Sequence, residues 1–135
     1  MSDNAFFDTN VLVYAFSTGD AKSERARELL THGGVTGVQA LNEFVSVARR
    51  KLKMAWEEIS EALSAIRVLC PSPEPVTVEI HQEARRLAER YAYSIFDSLM
   101  IAAALSKRCR VLFSEDMRHG QVIEGIAIRN PFVIR

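Results

Sequence analysis

The stretch that most constrains the fold is an apolar run that ends at an acid and then becomes apolar again. Residues 5–7 lead into Asp8, the small polar residues Thr9 and Asn10 follow, and residues 11–16 are apolar. A buried strand followed at once by a buried helix has this pattern. Asp8 would then stand at the carboxyl end of the strand, where ligands bind in open α/β sheets. The structural alternative is that these polar residues cap the next helix.

Length and composition indicate one ordinary globular domain spanning residues 1–135. The chain is 48% apolar and 25% charged, which is typical of soluble proteins. It has 17 basic and 17 acidic residues. Because the charges balance, nucleic-acid binding would depend on local basic patches and not on an overall basic field.

The cysteines and the hydropathy pattern predict a cytoplasmic protein. Cys70 and Cys109 form no C-x-x-C pair, and the first residues lack the basic start of a secretory signal. We therefore interpret both cysteines as reduced core residues. No apolar run reaches the roughly 18 residues that a spanning helix needs, so we expect no membrane association.

Strands and helices are predicted to alternate along the chain. The strands are expected at residues 4–8, 35–38, 68–70, 111–114 and 125–129, and the helices at residues 9–16, 21–31, 39–52, 56–69, 76–91 and 94–105. Such alternation implies right-handed crossovers and a parallel sheet covered on both faces. Trp56 opens one of these helices and is expected in the core, with a partner surface as the alternative.

Three further acids lie in apolar surroundings far along the chain. Glu43 is at the margin of an apolar helical stripe, Asp97 shares a face with apolar residues of helix 94–105, and Asp116 follows a buried strand. An ionised carboxylate in such a place is costly unless it is paired or bound to a metal. Structural alternatives exist, since Glu43 could extend into solvent and Asp97 could form a capping box with Ser94. We interpret these acids and Asp8 as one metal site.

Four segments, in order, resemble the successive motifs of PIN-domain ribonucleases. They are Asp8–Tyr14 (DTNVLVY), Asn42–Phe44 (NEF), Phe96–Ala104 (FDSLMIAAA) and Leu112–Gly120 (LFSEDMRHG). The resemblance covers essentially the whole chain and is closest to the small VapC-type toxins of bacterial toxin–antitoxin pairs. It implies a three-layer α/β/α sandwich with a parallel sheet in strand order 3-2-1-4-5. The reversal between strands one and four would make a topological switch point there.

The resemblance also implies a role for each acid. The catalytic carboxylates would be those of Asp8, Glu43, Asp97 and Asp116. The metal ligands would be Asp8, Asp97 and Asp116. The polar supports would be Thr9, Asn10 and Ser114. The Ser/Thr-x-Asp pattern of the family selects Asp116 and not the neighbouring Glu115.

The residue types fit metal-assisted hydrolysis. Crowded carboxylates repel each other and raise the pKa of some of them. Ligands that offer only oxygen suit Mg²⁺ or Mn²⁺, whereas the isolated histidines disfavour zinc. The resemblance implies hydrolysis of RNA phosphodiester bonds, leaving 5′-phosphate and 3′-hydroxyl ends. Candidate contacts to the RNA backbone are Arg49, Arg50, Lys51, Arg85, Arg86 and Arg118.

The partners implied by the resemblance are an RNA substrate, a small antitoxin that covers the acidic crevice, and a second copy in a homodimer. Two alternatives stay open: a housekeeping PIN nuclease without an antitoxin, and a PIN fold that only binds proteins. A response-regulator receiver is a third α/β candidate. It is disfavoured because residues 126–135 lack the lysine expected after the last strand.

Overall fold

The computed structural model describes residues 4–133, and within them the chain forms an α/β domain. The strands are β1 (Ala5–Phe7), β2 (Val111–Phe113), β3 (Val122–Ile123) and β4 (Ile126–Arg129). The helices are α1 (Thr9–Ala15), α2 (Ala21–Thr31), α3 (Val38–Arg50), α4 (Trp56–Leu69), α5 (Val78–Tyr91) and α6 (Ile95–Ser106). The predicted mixed α/β class is confirmed, and all six predicted helices form with small changes at their ends.

The sheet has the order β1-β2-β4-β3. β1 pairs with β2, and β2 with β4, in parallel, so that Phe6 lies opposite Leu112 and Leu112 opposite Ile128. All three side chains are fully buried, as expected for strands covered by helices on both faces. The short strand β3 joins β4 antiparallel, so the prediction of an entirely parallel sheet is wrong at this edge.

On the other side of β1 the predicted strands shrink to single bridges. Val35 pairs in parallel with Phe6, and Gly37 with Glu74. The predicted order 3-2-1-4-5 is therefore only partly right. Isolated bridges occupy the places of the predicted second and third strands, and β3 is an additional strand at the opposite edge of the sheet.

The strand predicted at residues 68–70 is wrong because helix α4 runs through it. The backbone N–H of Cys70 still donates to the carbonyl of Ile66, at 2.7 Å. The partner of Gly37 comes only after the proline-containing turn that follows. Since proline cannot donate a ladder hydrogen bond, a longer strand is disfavoured there.

A close backbone approach joins the segment after α2 to β1. The backbone N–H of Val35 donates to the carbonyl of Ala5 at 2.9 Å. A Cβ atom on Gly34 would lie 2.7 Å from Cε2 of Phe7 and 2.8 Å from the Ala5 carbonyl oxygen. Only glycine fits between them, so this residue lets the chain pass tightly beside the strand that ends at Asp8.

Helix α6 is buried on most sides, as predicted. Its buried apolar residues are Met100, Ile101, Ala102, Ala103 and Ala104. Cys70 and Cys109 are also buried, and burial raises the pKa of the Cys70 thiol to about 12. Trp56 does not lie in the core, because its side chain is 57% exposed at the start of α4. Within residues 4–133, no helix has the length and apolar character needed to cross a membrane.

Candidate acidic active site

Asp8 is both a helix cap and a buried acid at the end of β1. Its Oδ1 accepts a hydrogen bond from the backbone N–H of Thr9 at 2.7 Å, so it caps α1. Its backbone N–H donates to the carbonyl of Phe113 at 3.0 Å, which ties the end of β1 to the end of β2. The side chain is only 3% exposed. The two interpretations of Asp8 from the sequence are therefore compatible.

The second carboxylate oxygen of Asp8 faces groups from the end of β2 and the start of α1. The hydroxyl of Ser114 donates to Oδ2 at 2.6 Å, and Nδ2 of Asn10 lies 3.4 Å from the same oxygen. Ser114 is itself fixed, because its backbone N–H donates to the carbonyl of Arg129 at 3.0 Å. The register of the parallel strands thus brings Ser114 to Asp8 across 106 residues of sequence.

Asn10 and Ser114 also hold the loop that carries Asp116. The amide nitrogen of Asn10 donates to Oδ2 of Asp116 at 3.2 Å, and its Oδ1 accepts from the backbone N–H of Glu115 at 3.1 Å. The backbone N–H of Asp116 donates to Oγ of Ser114 at 3.1 Å. Two neutral side chains therefore set the distance between two acids that would otherwise repel each other.

The remaining two acids come from helices. Oε1 of Glu43 accepts from the hydroxyl of Thr9 at 3.2 Å, and its Oε2 accepts from the side-chain amide of Gln39 at 3.1 Å. Asp97 lies in the first turn of α6, where its backbone N–H donates to the Ser94 hydroxyl at 3.1 Å. We use the name acidic centre for the following four residues: Asp8, Glu43, Asp97 and Asp116.

Two carboxylates of the acidic centre have raised pKa values because of burial and of their acidic neighbours. The pKa of Asp8 is raised to about 7: burial raises it most, the hydrogen bonds from Ser114 and Thr9 lower it, and the charges of Asp97 and Asp116 add to the rise. Burial likewise raises the pKa of Asp97, with added contributions from Asp116 and Glu43. Among residues 4–133, no cation contributes to the pKa shift of either acid, so the acidic centre favours protons or metal cations.

The donor chemistry of the acidic centre fits Mg²⁺ or Mn²⁺. All of its side-chain donors are oxygens, the ligands that these hard cations prefer. Within residues 4–133, no three His, Cys, Asp or Glu side chains are arranged to hold a metal ion by themselves. A cation held by the acidic centre would therefore also need oxygen ligands from water or from substrate phosphate.

Comparison with known protein families identifies the domain. Residues 5–124 match the model of the PIN domain. The chain belongs to the PIN-domain family. Comparison with curated protein sequences finds no match. The predicted family membership is confirmed over most of the chain.

Solved structures share the fold at low sequence identity. VapC20 of Mycobacterium tuberculosis, described as a toxin that cleaves the sarcin–ricin loop, is 20% identical, with a TM-score of 0.65 over 83% of this chain and 89% of that chain. A toxin–antitoxin complex from Klebsiella pneumoniae is 19% identical, with a TM-score of 0.73 over 96% and 99%. VapBC2 of Rickettsia felis, bound to a promoter DNA fragment, is 17% identical, with a TM-score of 0.63 over 93% and 97%.

A cleft of about 410 Å³ opens beside the acidic centre of this PIN domain. Its lining includes Thr9, Asn10, Glu43 and Asp116, together with further residues of α1 and of the end of α3. Lys51 is the basic residue in this lining. One of the six predicted RNA contacts thus shares a cleft with two of the acids.

The structure places the other predicted RNA contacts in different surroundings. Arg49 and Arg50 are exposed at the end of α3, near Lys51. Arg85 and Arg86 line a separate cavity on α5. The guanidinium of Arg118 stacks 4.4 Å from the centre of the Tyr93 ring and donates to the Tyr91 carbonyl at 2.9 Å.

Sequence reasoning missed the groups that hold Glu115 away from the centre. Glu115 forms an ion pair with Lys22, and its Oε1 accepts from the Tyr14 hydroxyl at 2.9 Å. The charge of Glu115 is thus compensated, whereas that of Asp116 is not. The spacing of Gln39 and Glu43, four residues apart on one helix, was a readable signal for their contact. Lys22 and Glu115 are 93 residues apart in the chain, so no local sequence pattern predicts their ion pair.

Proposed function

We propose that this PIN domain is a cytoplasmic, metal-dependent endoribonuclease that uses Mg²⁺ or Mn²⁺ and serves as the toxin of a toxin–antitoxin pair. The observation that carries the proposal is the state of Asp8. This carboxyl is buried at the end of β1, and its pKa is raised to about 7 beside Asp97 and Asp116. Asn10, whose side-chain amide reaches Asp8, lines the neighbouring cleft, and a strongly perturbed acid beside a cleft is a mark of a functional site.

The chain's own residues can perform the binding and proton transfer that hydrolysis requires. Asp8, Asp97 and Asp116 would hold the divalent cation. Ser114 and Asn10 would fix the orientation of two of these carboxylates through the hydrogen bonds described above. When bound, such a cation activates water and neutralises charge on the phosphate and the leaving oxygen.

Glu43 has a different role in this proposal. Hydrogen bonds from Thr9 and Gln39 reach both of its oxygens, so its carboxylate is held at the cleft wall. A carboxylate fixed in this way can accept the proton of the attacking water. No serine, cysteine or histidine nucleophile is required, and the products would carry 5′-phosphate and 3′-hydroxyl ends.

Two grounds support RNA as the proposed substrate. The chain belongs to the PIN-domain family, and one of its structural neighbours has a described cleavage target. VapC20, which shares this fold, is described as cleaving the sarcin–ricin loop. The antitoxin is proposed because two other neighbours are a toxin–antitoxin complex and VapBC2. A homodimer is part of the same proposal by analogy.

Metal-dependent cleavage tests the enzymatic part. Structured RNA should be cut in Mg²⁺ or Mn²⁺ and left intact in EDTA, while zinc should substitute poorly without nitrogen or sulfur ligands. End mapping should find 5′-phosphates on the products. Equal cleavage in chelator would refute the metal mechanism, and no cleavage under any condition would favour a PIN fold that only binds proteins.

Expression in a bacterial host tests the toxin part. The wild-type protein should arrest growth, whereas Asp8→Ala should not, and co-expression of the neighbouring gene should restore growth. Wild-type expression as harmless as Asp8→Ala, despite cleavage in vitro, would favour a housekeeping nuclease. A monomer in solution would refute the dimer and leave the chemistry intact.

A further inference from the structure

We infer that single-stranded RNA leaves the acidic centre over Lys51 and stacks one base on Trp56, which would be a specificity element of this PIN domain. The inference rests on the proposed ribonuclease function. We use the name exit track for the surface formed by Arg49, Arg50, Lys51, Lys53 and Trp56. Its basis is an exposed aromatic ring that stacks with Arg49, together with Lys51, which lines the acidic cleft.

The turn between α3 and α4 builds an aromatic platform. The guanidinium of Arg49 lies 4.7 Å from the centre of the Trp56 ring, and its Nη1 donates to the carbonyl of Met54 at 3.0 Å. Met54 is anchored in turn, because its backbone N–H donates to the carbonyl of Ala48 at 3.0 Å. Trp56 nevertheless stays 57% exposed, so the indole is held in place and still open to a stacking partner.

In the part of the chain that the structure describes, no acid forms an ion pair with a cation of the exit track. Within residues 4–133, the ion pairs involve Lys22, Arg25 and Arg86, and none involves a cation of the track. Glu58 of α4 does not pair with these cations, and its carboxylate accepts a hydrogen bond from the backbone N–H of Ala55 at 2.8 Å. Counting Glu57 and Glu58, residues 49–58 still carry a net charge of +2.

The cleft connects this positive surface to the acidic centre. Its lining contains Glu43 and Asp116 together with Lys51 and Leu52. A polyanion held by its scissile phosphate at the acids would be repelled there unless cations received the adjoining phosphates. Lys51 of the track supplies one such cation in the cleft lining itself, and attraction to phosphates provides most of the affinity for nucleic acid.

Single-stranded RNA fits this surface better than a duplex. A base can stack on an exposed ring only when it is splayed out of a helix, and aromatic side chains recognise unpaired RNA in this way. Aromatic rings interleaved with cations that follow the backbone are the usual arrangement for binding single strands. The Arg49–Trp56 pair and Lys51 provide both parts.

Fluorescence offers a direct test because Trp56 is the only tryptophan of the chain. We would titrate Asp8→Asn in EDTA, where RNA stays intact, with a short single-stranded oligonucleotide. The expected result is saturable quenching of Trp56 emission, with much weaker quenching by the same oligonucleotide annealed to its complement. Binding to fluorescein-labelled RNA is followed in parallel by anisotropy.

Variants separate stacking from charge. Trp56→Leu should weaken single-strand binding about 5- to 100-fold, and Trp56→Phe should restore part of it. Lys51→Gln should reduce the slope of log K against log salt by about 0.7. Arg67→Gln, which removes one exposed charge farther along α4, is the matched control and should change neither quantity. In the active protein, Trp56→Leu should raise KM more than it lowers kcat.

The two proposals fail in different ways. RNA binding by anisotropy with unchanged Trp56 emission, or equal binding by Trp56→Leu and wild type, would overturn the exit track and leave the nuclease intact. Quenching by the product of the neighbouring gene, but not by RNA, would assign the surface to a protein partner and also overturn the track. Absence of cleavage despite stacking would instead refute the ribonuclease.

Discussion

Two charge clusters of this PIN domain place their carboxylates in opposite electrostatic surroundings. The first is the acidic centre. The second is the exposed Arg86 cluster, which consists of Glu83, Arg86, Tyr91 and Glu124. In the second cluster, Arg86 donates to Glu124 at 2.8 and 3.0 Å and also pairs with Glu83. Its charge is therefore compensated, which removes most of its value as an RNA contact.

The pKa values record the difference between the clusters. The hydrogen bond from Arg86 lowers the pKa of Glu124, and its two acidic partners raise the pKa of Arg86. In the acidic centre, burial and neighbouring carboxylates raise the pKa values of Asp8 and Asp97. An ion-pair cluster satisfies its own charges, whereas a site that must bind a cation leaves its negative charges uncompensated. The comparison separates a structural cluster from a candidate active site.

The largest expected effect follows from removing one charge at the centre. Asp8→Asn keeps the size of the side chain and its capping ability but loses a proposed metal ligand. RNA cleavage should fall more than about 100-fold, because even outer-shell partners of a metal typically matter 10- to 100-fold. Glu124→Gln in the Arg86 cluster is the matched control, with initial rates as the measurement. A similar loss of cleavage rate in both variants would mean that the acidic centre has no special role in catalysis.

The stability of the same variant should depend on pH. The folded pKa of Asp8 is about 7, against an ordinary value of 3.8, so the folded state binds the proton more tightly than the unfolded state. The wild type therefore loses stability as pH rises from about 4 to 7. Asp8→Asn avoids this loss and should be more stable in EDTA at pH 8, by at most about 4 kcal/mol.

Urea unfolding at pH 4.5 and pH 8 measures this difference. The gain from Asp8→Asn should be small at the lower pH and reach its limit above the folded pKa. Asp97→Asn should show the same sign with a smaller gain, because Asp97 is less buried. A large drop in stability for Asp97→Asn would instead indicate that its carboxylate mainly supports the start of α6.

Metal binding should relieve the repulsion in the wild type. A cation at ten times its dissociation constant contributes about 1.4 kcal/mol to stability. The melting temperature of a domain of this size should then rise by about 4 °C. Mg²⁺ should have little effect on Asp8→Asn, and differential scanning calorimetry at several Mg²⁺ concentrations measures both. An equal rise in the two proteins would place the cation elsewhere.

The smallest effect is expected in the Arg86 cluster. Arg86→Gln removes exposed ion pairs, which contribute little to stability because solvent screens them. The melting temperature should change by less than about 3 °C. The change should also shrink in high salt, whereas the pH effect at buried Asp8 should persist. A larger loss would mean that these pairs anchor the turn between β3 and β4 to α5.

Much of the candidate active site could be predicted because several of its residues belong to local sequence patterns. Asp8 follows an apolar strand directly, and Asp97 begins an apolar helix, so short stretches of sequence were enough to single them out. Two predictions that also relied on local patterns were wrong: that Trp56 lies in the core, and that residues 68–70 form a strand. Hydrophobicity and periodicity indicate that a residue can be buried, but they do not reveal which neighbours cover it.

The sequence by itself determined the alternation of helices with strands, the buried character of α6, and the presence of acids at the ends of apolar elements. These follow from local periodicity and from the chemistry of single residues. Tertiary structure decided which charges are compensated. Lys22 pairs with Glu115, and Arg86 with Glu124, while Lys51 lines the cleft beside the acids and forms no ion pair within residues 4–133. Such ion pairs join residues that are far apart in the chain. The packing of whole helices and strands therefore determines them, and no local sequence pattern predicts them.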